Sequence, residues 1–324
     1  MSAETGLVLA IVLDGRGGGR ELDWDGVRAW EPSQGVLWVH LDYTHPGTRL
    51  WLEREANVDP ILAEALLAEE TRPRCGALGD GTLLSLRGVN SNPGADPEDM
   101  VSIRLFSTRQ RVISTRRRRL LSIRDVRDAL AQGRGPGNSG ELVALLADRL
   151  TDRMGDVINM LEERIDTLEE RVVEGAGQEV RPGILELRRE IIKLRRYLAP
   201  QREALARLAS EPNVWMDESD RVRVREALDR VSRYLEELDS ARDRAAVAHE
   251  ELAGRQAEQM NTRMYLLSVI AALFLPMGFL TGLLGINVGG IPLAESPWGF
   301  VLVSVGLVVI LAGQVWVFRR NRWF

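Results

Sequence analysis

Near its C-terminal end the chain carries Gly285-Ile286-Asn287, followed by Val288-Gly289-Gly290-Ile291-Pro292. Glycine allows turns with positive φ and close backbone approach, and an asparagine amide offers a neutral oxygen to whatever passes. Mg2+ gives up its water reluctantly and Zn2+ is also strongly hydrated, so amide and backbone oxygens suit a cation that keeps its waters. Glu295 in the same stretch, repeated in an oligomer, would raise the local cation concentration at an outer mouth. Tight zinc sites are built from Cys and His, and residues 264–318 contain neither. The residues themselves therefore fit a low-affinity path for hydrated divalent ions.

Other chemistries find little support. A single Cys75 rules out an intramolecular disulfide framework, and that Cys with the scattered His40, His45 and His249 does not make a zinc finger. Gly17-Gly18-Gly19 lacks the Lys-Ser/Thr of a phosphate loop and reads as a flexible turn. No nucleophile–base pair is visible, so an enzyme is not expected. The formal net charge of −5 gives no basic face for nucleic acid. The acidic N-terminus shows no signal-peptide pattern. No resident cofactor is expected; the metal ion would be cargo.

Placing those residues requires a membrane. Charged residues make up 27% of the chain, yet between Met264 and Phe318 the one charged side chain is Glu295. Two apolar runs fill the gap, residues 264–284 and 299–318, each about 20 residues and so matched to a ~30 Å hydrocarbon slab. Arg255 and Arg263 precede the first run, Arg319, Arg320 and Arg322 follow the second, and residues 285–298 hold no Lys or Arg. The positive-inside rule puts both termini in the cytoplasm.

At helical spacing one stripe of the first span is Asn261, Met264, Ser268, Ala271, Leu275, Gly278 and Gly282, small or mildly polar. The other side, Leu266, Ile270, Leu273, Met277, Leu280 and Leu284, is bulky and suited to lipid. Two uses of the slim stripe stay open: close helix pairing, or a narrow path enclosed by several copies. Pro276 removes one backbone hydrogen bond and leaves a carbonyl to be satisfied by water or a neighbour.

Upstream, β-rich runs at 7–13, 36–41, 82–89, 100–107 and 111–115, with helical patterns at 47–56 and 60–69, predict a mixed α/β domain. Apolar residues at 3–4 spacing over 139–173 and 183–209 predict a helical hairpin. From Glu218 the pattern runs without proline into the first span. Val224, Leu228, Val231, Leu235 and Leu238 form a heptad seam that continues through Arg242, Ala245 and His249, implying contact with other helices, including copies of itself. On that seam His249 is either a pH-sensitive or metal-binding ring or, as we favour, a polar register-setter. The acidic residues among 152–174 alternate with arginines, as on a solvated helix face.

The predicted boundaries are residues 1–135 for a cytoplasmic α/β domain, 136–215 for the hairpin and 216–263 for a stalk helix. They continue with a pore-lining transmembrane helix (264–284), an extracytoplasmic loop with the Gly-Ile-Asn motif (285–298), a second transmembrane helix (299–318) and a basic cytoplasmic tail (319–324).

Phe274-Leu275-Pro276, the run from Phe279 through Pro292 and the closing Arg319-Arg320-Asn321-Arg322-Trp323 resemble the CorA superfamily of divalent-cation transporters. Gly285-Ile286-Asn287-Val288-Gly289-Gly290-Ile291-Pro292 is similar to the zinc-transporting ZntB branch, as are the stretches 70–74 and 86–90. The magnesium branch usually carries Gly-Met-Asn. The resemblance covers essentially the whole chain. It implies an α+β domain built as an α/β sandwich, a long stalk helix and two C-terminal transmembrane helices in a CorA-like homopentameric funnel. Gly285, Ile286 and Asn287 would be its selectivity filter, with Asn261, Met264, Leu267, Leu275 and Gly278 lining the pore. It implies a multi-pass inner-membrane protein whose partners are lipid, further copies of itself and divalent ions: Zn2+, with Co2+, Ni2+ and Cd2+ in the same class, and a link to the proton gradient proposed for the branch. A Mg2+/Co2+ channel of the CorA type is the alternative. A membrane-tethered oligomeric scaffold without transport is the second.

Overall fold

Runs such as Leu-Val-Leu-Ala-Ile-Val-Leu are too short and too apolar for a surface helix and form strands covered on both faces. The structure is a computed structural model that describes residues 6–211, 214–285 and 296–320. In chain order the elements are β1 (Leu7–Leu13), β2 (Gly19–Glu21), α1 (Trp24–Arg28), β3 (Leu37–Asp42), α2 (Pro46–Arg54), α3 (Pro60–Leu67), β4 (Arg74–Leu78), β5 (Gly81–Gly88), β6 (Val101–Ser107), β7 (Arg111–Arg116), α4 (Leu121–Ala131), α5 (Ser139–Val173), α6 (Arg181–Ser210), α7 (Glu218–Leu284) and α8 (Gly299–Arg320). The five predicted strands fall on β1, β3, β5, β6 and β7. The two edge strands β2 and β4 were not foreseen, since Gly-Arg-Glu and Arg-Cys-Gly-Ala-Leu carry almost no β-branched signal.

The strands form one seven-stranded sheet in the order β2-β1-β3-β7-β6-β5-β4. Among the described residues only β3 and β7 pair in parallel. Val39, Leu41, Phe106 and Ile113 turn one face towards Trp51, Leu52, Leu62 and Leu66 of α2 and α3, while α5 and α6 lie against β5 and β4. The domain is an α/β sandwich. Gly17, at φ +95, lies in the β1–β2 turn, where Asp14 Oδ1 accepts from the N–H groups of Arg16 and Gly18 at 2.7 and 2.9 Å. Gly17 and Gly18 form the turn, and Gly19 already opens β2.

Asn138 starts α5 by accepting from the Glu141 N–H at 2.9 Å, and the Glu141 carboxylate accepts from Gly137 N–H. This is reciprocal satisfaction of orphan donors. Asp217 and Asp220 repeat the device at the start of α7. Bidentate pairs tie the helices together: Arg153 with Asp125 of α4 at 2.9 and 2.8 Å, and Arg164 with Glu190 of α6 at 2.5 and 3.0 Å.

The chain divides into two units, Met1–His249 and Glu250–Phe324. In the first, α7 buries Val224, Ala227, Val231, Leu235, Leu238, Ala241, Ala245 and Ala248. The predicted seam is therefore shifted at three positions: alanines 227, 241 and 248 take the buried places assigned to Leu228, Arg242 and His249. A heptad search favours large apolar side chains, but tight packing here selects small ones. The seam also finds partners in its own chain. Arg230 pairs with Asp148 of α5, Asp239 with Arg195 of α6, and Arg244 with both Asp166 (2.5 Å) and Glu169 of α5. His249 is half-buried and off the seam.

Candidate functional site

The second unit holds the end of α7 and all of α8, among the described residues the two helices long and apolar enough to cross a membrane, with almost none of their apolar windows covered. Along α7 the more sheltered residues are Val269, Ala272, Leu273, Met277 and Leu280. At 100° per residue they share one face about 140° wide. From α8 the Gln314 side-chain amide reaches this face and donates to the Ala272 carbonyl at 3.4 Å. On α8, Val303, Gly306, Leu307, Gln314, Val315 and Phe318 are correspondingly sheltered. Part of the bulky face expected to meet lipid, namely Leu273, Met277 and Leu280, is thus covered by α8. Leu266, Ile270 and Leu284 stay exposed.

Asn261, Met264, Leu267, Leu275 and Gly278 fall within an arc about 120° wide on the side away from α8. Met264, Leu267 and Leu275 are 62%, 68% and 75% exposed, values a lone soluble helix would not sustain. A Cβ placed at Gly278 or Gly282 would meet nothing within 4 Å. The hydroxyls near this arc are committed to the helix itself. Ser268 donates to the Met264 carbonyl at 2.9 Å, and Thr281 to those of Met277 (2.9 Å) and Gly278 (3.2 Å). Gly285 closes α7, its N–H bonded to the carbonyls of Thr281 and Gly282. Ile286, Asn287 and Glu295 lie outside the described residues.

The N-terminal unit holds no competing centre among its described residues. No group of three or more His, Cys, Asp or Glu there is placed to hold a metal. Cys75 is buried, and desolvation pushes its thiol up to about 12, so it is an inert packing residue. His40 is fully buried, its Nδ1 2.8 Å from Ser114 Oγ, and burial pulls its pKa down to about 3. A cleft of about 370 Å3 carries many charges, but its central Arg87 lies over the Tyr197 ring at 3.9 Å and spends its donors on the carbonyls of Thr71 and Met100. Asp220 is buried at the start of α7, and desolvation raises its carboxyl to about 6.

The residue that sequence reasoning missed is Gln314. Its signal was present, as the one side-chain amide in a run otherwise made of aliphatics, aromatics, glycines and a serine.

A family model described as "CorA-like Mg2+ transporter protein" matches residues 33–320. Zinc transport protein ZntB of Yersinia enterocolitica is 40% identical over 320 residues, covering 98% of this chain and 95% of the relative. The divalent cation transporter CmaX of Pseudomonas aeruginosa is 43% identical over 324 residues, covering 99% and 97%. The full-length CmaX structure superposes with a TM-score of 0.86 at 43% identity over 99% of both chains. The CorA magnesium transporter of Methanocaldococcus jannaschii shares the fold, with a TM-score of 0.82 at 20% identity over 98% of this chain and 99% of that one. The sheet-containing domain, the long helix and the pair of apolar helices are common to these structures, and the chain is a member of the CorA-like Mg2+ transporter family.

Proposed function

We propose that this protein carries divalent metal cations, Zn2+ foremost, across the inner membrane through a path enclosed by the α7 spans of five copies. Divalent-cation transport comes with the family; the ion, the number of copies and the path are our reading. One observation carries it: α8 takes one face of the α7 span and leaves bare the opposite arc of Asn261, Met264, Leu267, Leu275 and Gly278. One such pair cannot enclose a channel. Several copies with their bare arcs turned inward bury the small residues and give ions a lining, while α8 meets lipid. Leu275, Leu267 and Met264 then act as apolar constrictions that gate by dewetting. Gly285, Ile286 and Asn287 follow as the filter, with Glu295 drawing cations to the outer mouth. The arginines flanking the spans and the Lys/Arg-free stretch 285–298 support an orientation with both termini in the cytoplasm.

Zinc is supported by the 40% identity to ZntB and by the resemblance of Gly285-Ile286-Asn287 and the residues that follow to that branch. The spans contain no carboxylate, His or Lys, which favours passive flux down the ion's own gradient over a proton relay through the membrane. The test is uptake by liposomes holding the purified protein, comparing Zn2+, Mg2+, Co2+ and Ni2+ with and without a pH gradient. Zn2+ flux that falls in Asn287→Ala and ignores the pH gradient is expected. Mg2+ uptake well above Zn2+ would move the protein to the magnesium branch. No flux, with Asn287→Ala neutral, would leave a scaffold.

A further inference from the structure

Pro276 interrupts the hydrogen-bond ladder of α7 in the middle of its apolar run. In an α-helix the N–H of residue i serves the carbonyl of residue i−4, so the carbonyl that Pro276 leaves without its usual partner is that of Ala272. In hydrocarbon such a group has no water to turn to and must be satisfied by protein. The nearby hydroxyls are already engaged, Ser268 with Met264 and Thr281 with Met277 and Gly278. The group that reaches Ala272 O is the Gln314 side-chain Nε2 of the neighbouring helix, at 3.4 Å. Its other end, Oε1, has no partner among the described residues, so the Ala272 carbonyl is the contact that orients the amide.

We propose that Gln314 is a positioning residue for transport: its side-chain N–H replaces the missing Pro276 N–H on the Ala272 carbonyl and pins the α7 span to α8. The consequence for transport rests on α7 lining the path. Pro276 sits directly after Leu275 and two residues before Gly278, so the course of the helix at this point sets how both face the axis. With the clasp made, the proline is a fixed joint; with it lost, the joint is free. Gln314 touches no ion. It acts through the backbone of the neighbouring helix.

The proline makes the idea separable from a general packing role. In Pro276→Ala the Ala272 carbonyl regains a main-chain donor, and Gln314 becomes dispensable. The experiment compares wild type, Gln314→Leu, Pro276→Ala and the double variant, each full-length in lipid nanodiscs for thermal unfolding and in liposomes for Zn2+ uptake. Gln314→Leu should lower flux roughly tenfold, the scale set by one unmet polar group in an apolar site, and should lower the unfolding midpoint. Gln314→Asn, one methylene short of the carbonyl, should do the same. In the Pro276→Ala background, Gln314→Leu should change neither quantity. Equal losses from Gln314→Leu in both backgrounds would overturn the proposal, as would full flux in Gln314→Leu alone. A wild type silent towards Zn2+, Mg2+ and Co2+ would instead refute the transport reading. The unfolding cycle would then judge the clasp alone, non-additivity upholding it and additivity removing it.

Discussion

The two parts of α7 satisfy the same helical geometry in opposite surroundings. From Val224 to Ala248 a narrow apolar stripe is buried against helices of its own unit, and the polar flanks are paired: Arg230 with Asp148, Asp239 with Arg195, Arg244 with Asp166 and Glu169. From Met264 to Leu284 the helix is apolar nearly all round, one face receives α8, whose Gln314 side chain bonds the Ala272 carbonyl, and the remainder is bare. Water sets the rules for the first part: apolar area is hidden, and charge stays outside and in pairs. Lipid sets them for the second, where hydrophobicity cannot drive helix association, and close packing and backbone satisfaction decide instead. Identical substitutions in the two parts should therefore have unlike outcomes.

The largest contrast is expected from leucine truncation. Leu238 is 1% exposed and Leu275 is 75% exposed. Leu238→Ala opens a cavity in the bundle and should cost about 2–5 kcal/mol of unfolding free energy, read by denaturant melts of the full-length protein in mild detergent. Leu275→Ala should leave the melt within about 0.5 kcal/mol of wild type and instead change Zn2+ flux, because it widens a proposed constriction. Equal melting losses at the two positions would mean that Leu275 is buried between copies as tightly as Leu238 is within one.

Glycine gives a second contrast. A Cβ at Gly140, in the first turn of α5, would collide with the Asp220 carboxylate and lie 3.0 Å from the Trp215 carbonyl. At Gly278 it would meet nothing. Gly140→Ala should destabilise the N-terminal unit by about 2 kcal/mol, the scale of an overpacked core site. Gly278→Leu should leave the unfolding of that unit untouched and reduce flux several-fold by filling the slim arc. Undiminished flux in Gly278→Leu would turn Gly278 away from the path.

What could be read from the sequence follows the same division. The spans were plain because core helices of water-soluble domains seldom run so far without a charge, and β1 and α5 because their apolar patterns are long and regular. The edge strands β2 and β4 were hidden because three- and five-residue segments rich in Gly, Arg and Glu are strands through pairing alone. Leu228, Arg242 and His249 were assigned to the seam because alanine is a weak hydrophobic signal, although small side chains are what a close helix contact selects. On the membrane side, the slim arc could be read from residue size. That α8 would cover Leu273, Met277 and Leu280 could not, since every face of an apolar helix looks alike to a periodicity. Gln314 stood out only by chemistry, and its partner, a main-chain carbonyl, leaves no trace in residue type.

The smallest effect should lie at the point where α7 begins. Asp220 is buried there and caps the helix with Asp217, and desolvation lifts its carboxyl from 3.8 to about 6. The Asp217 N–H opposes that rise, the charges of Asp217 and Glu141 reinforce it, and Arg223 opposes it. A carboxyl with a folded pKa above its unfolded value holds its proton more tightly in the native state. Its contribution to stability is full below about pH 4 and is lost as pH rises through about 6. Asp220→Asn keeps an acceptor oxygen for the Asp217 N–H and removes the charge. It should therefore be more stable than wild type by about 1 kcal/mol at pH 7.5, less than the ~3 kcal/mol of the full rise in pKa because the neutral amide is a weaker acceptor for the Asp217 N–H, with the difference shrinking between pH 6 and 4. Urea melts of both proteins across that range measure it, and the difference between them cancels every other titration. The spans carry no carboxylate or His, so the pH dependence belongs to the water-facing part of the helix. Parallel stability curves from pH 4 to 8 would mean that Asp220 ionises as a solvated carboxylate and that the start of α7 is more open than its packing against Gly140 implies.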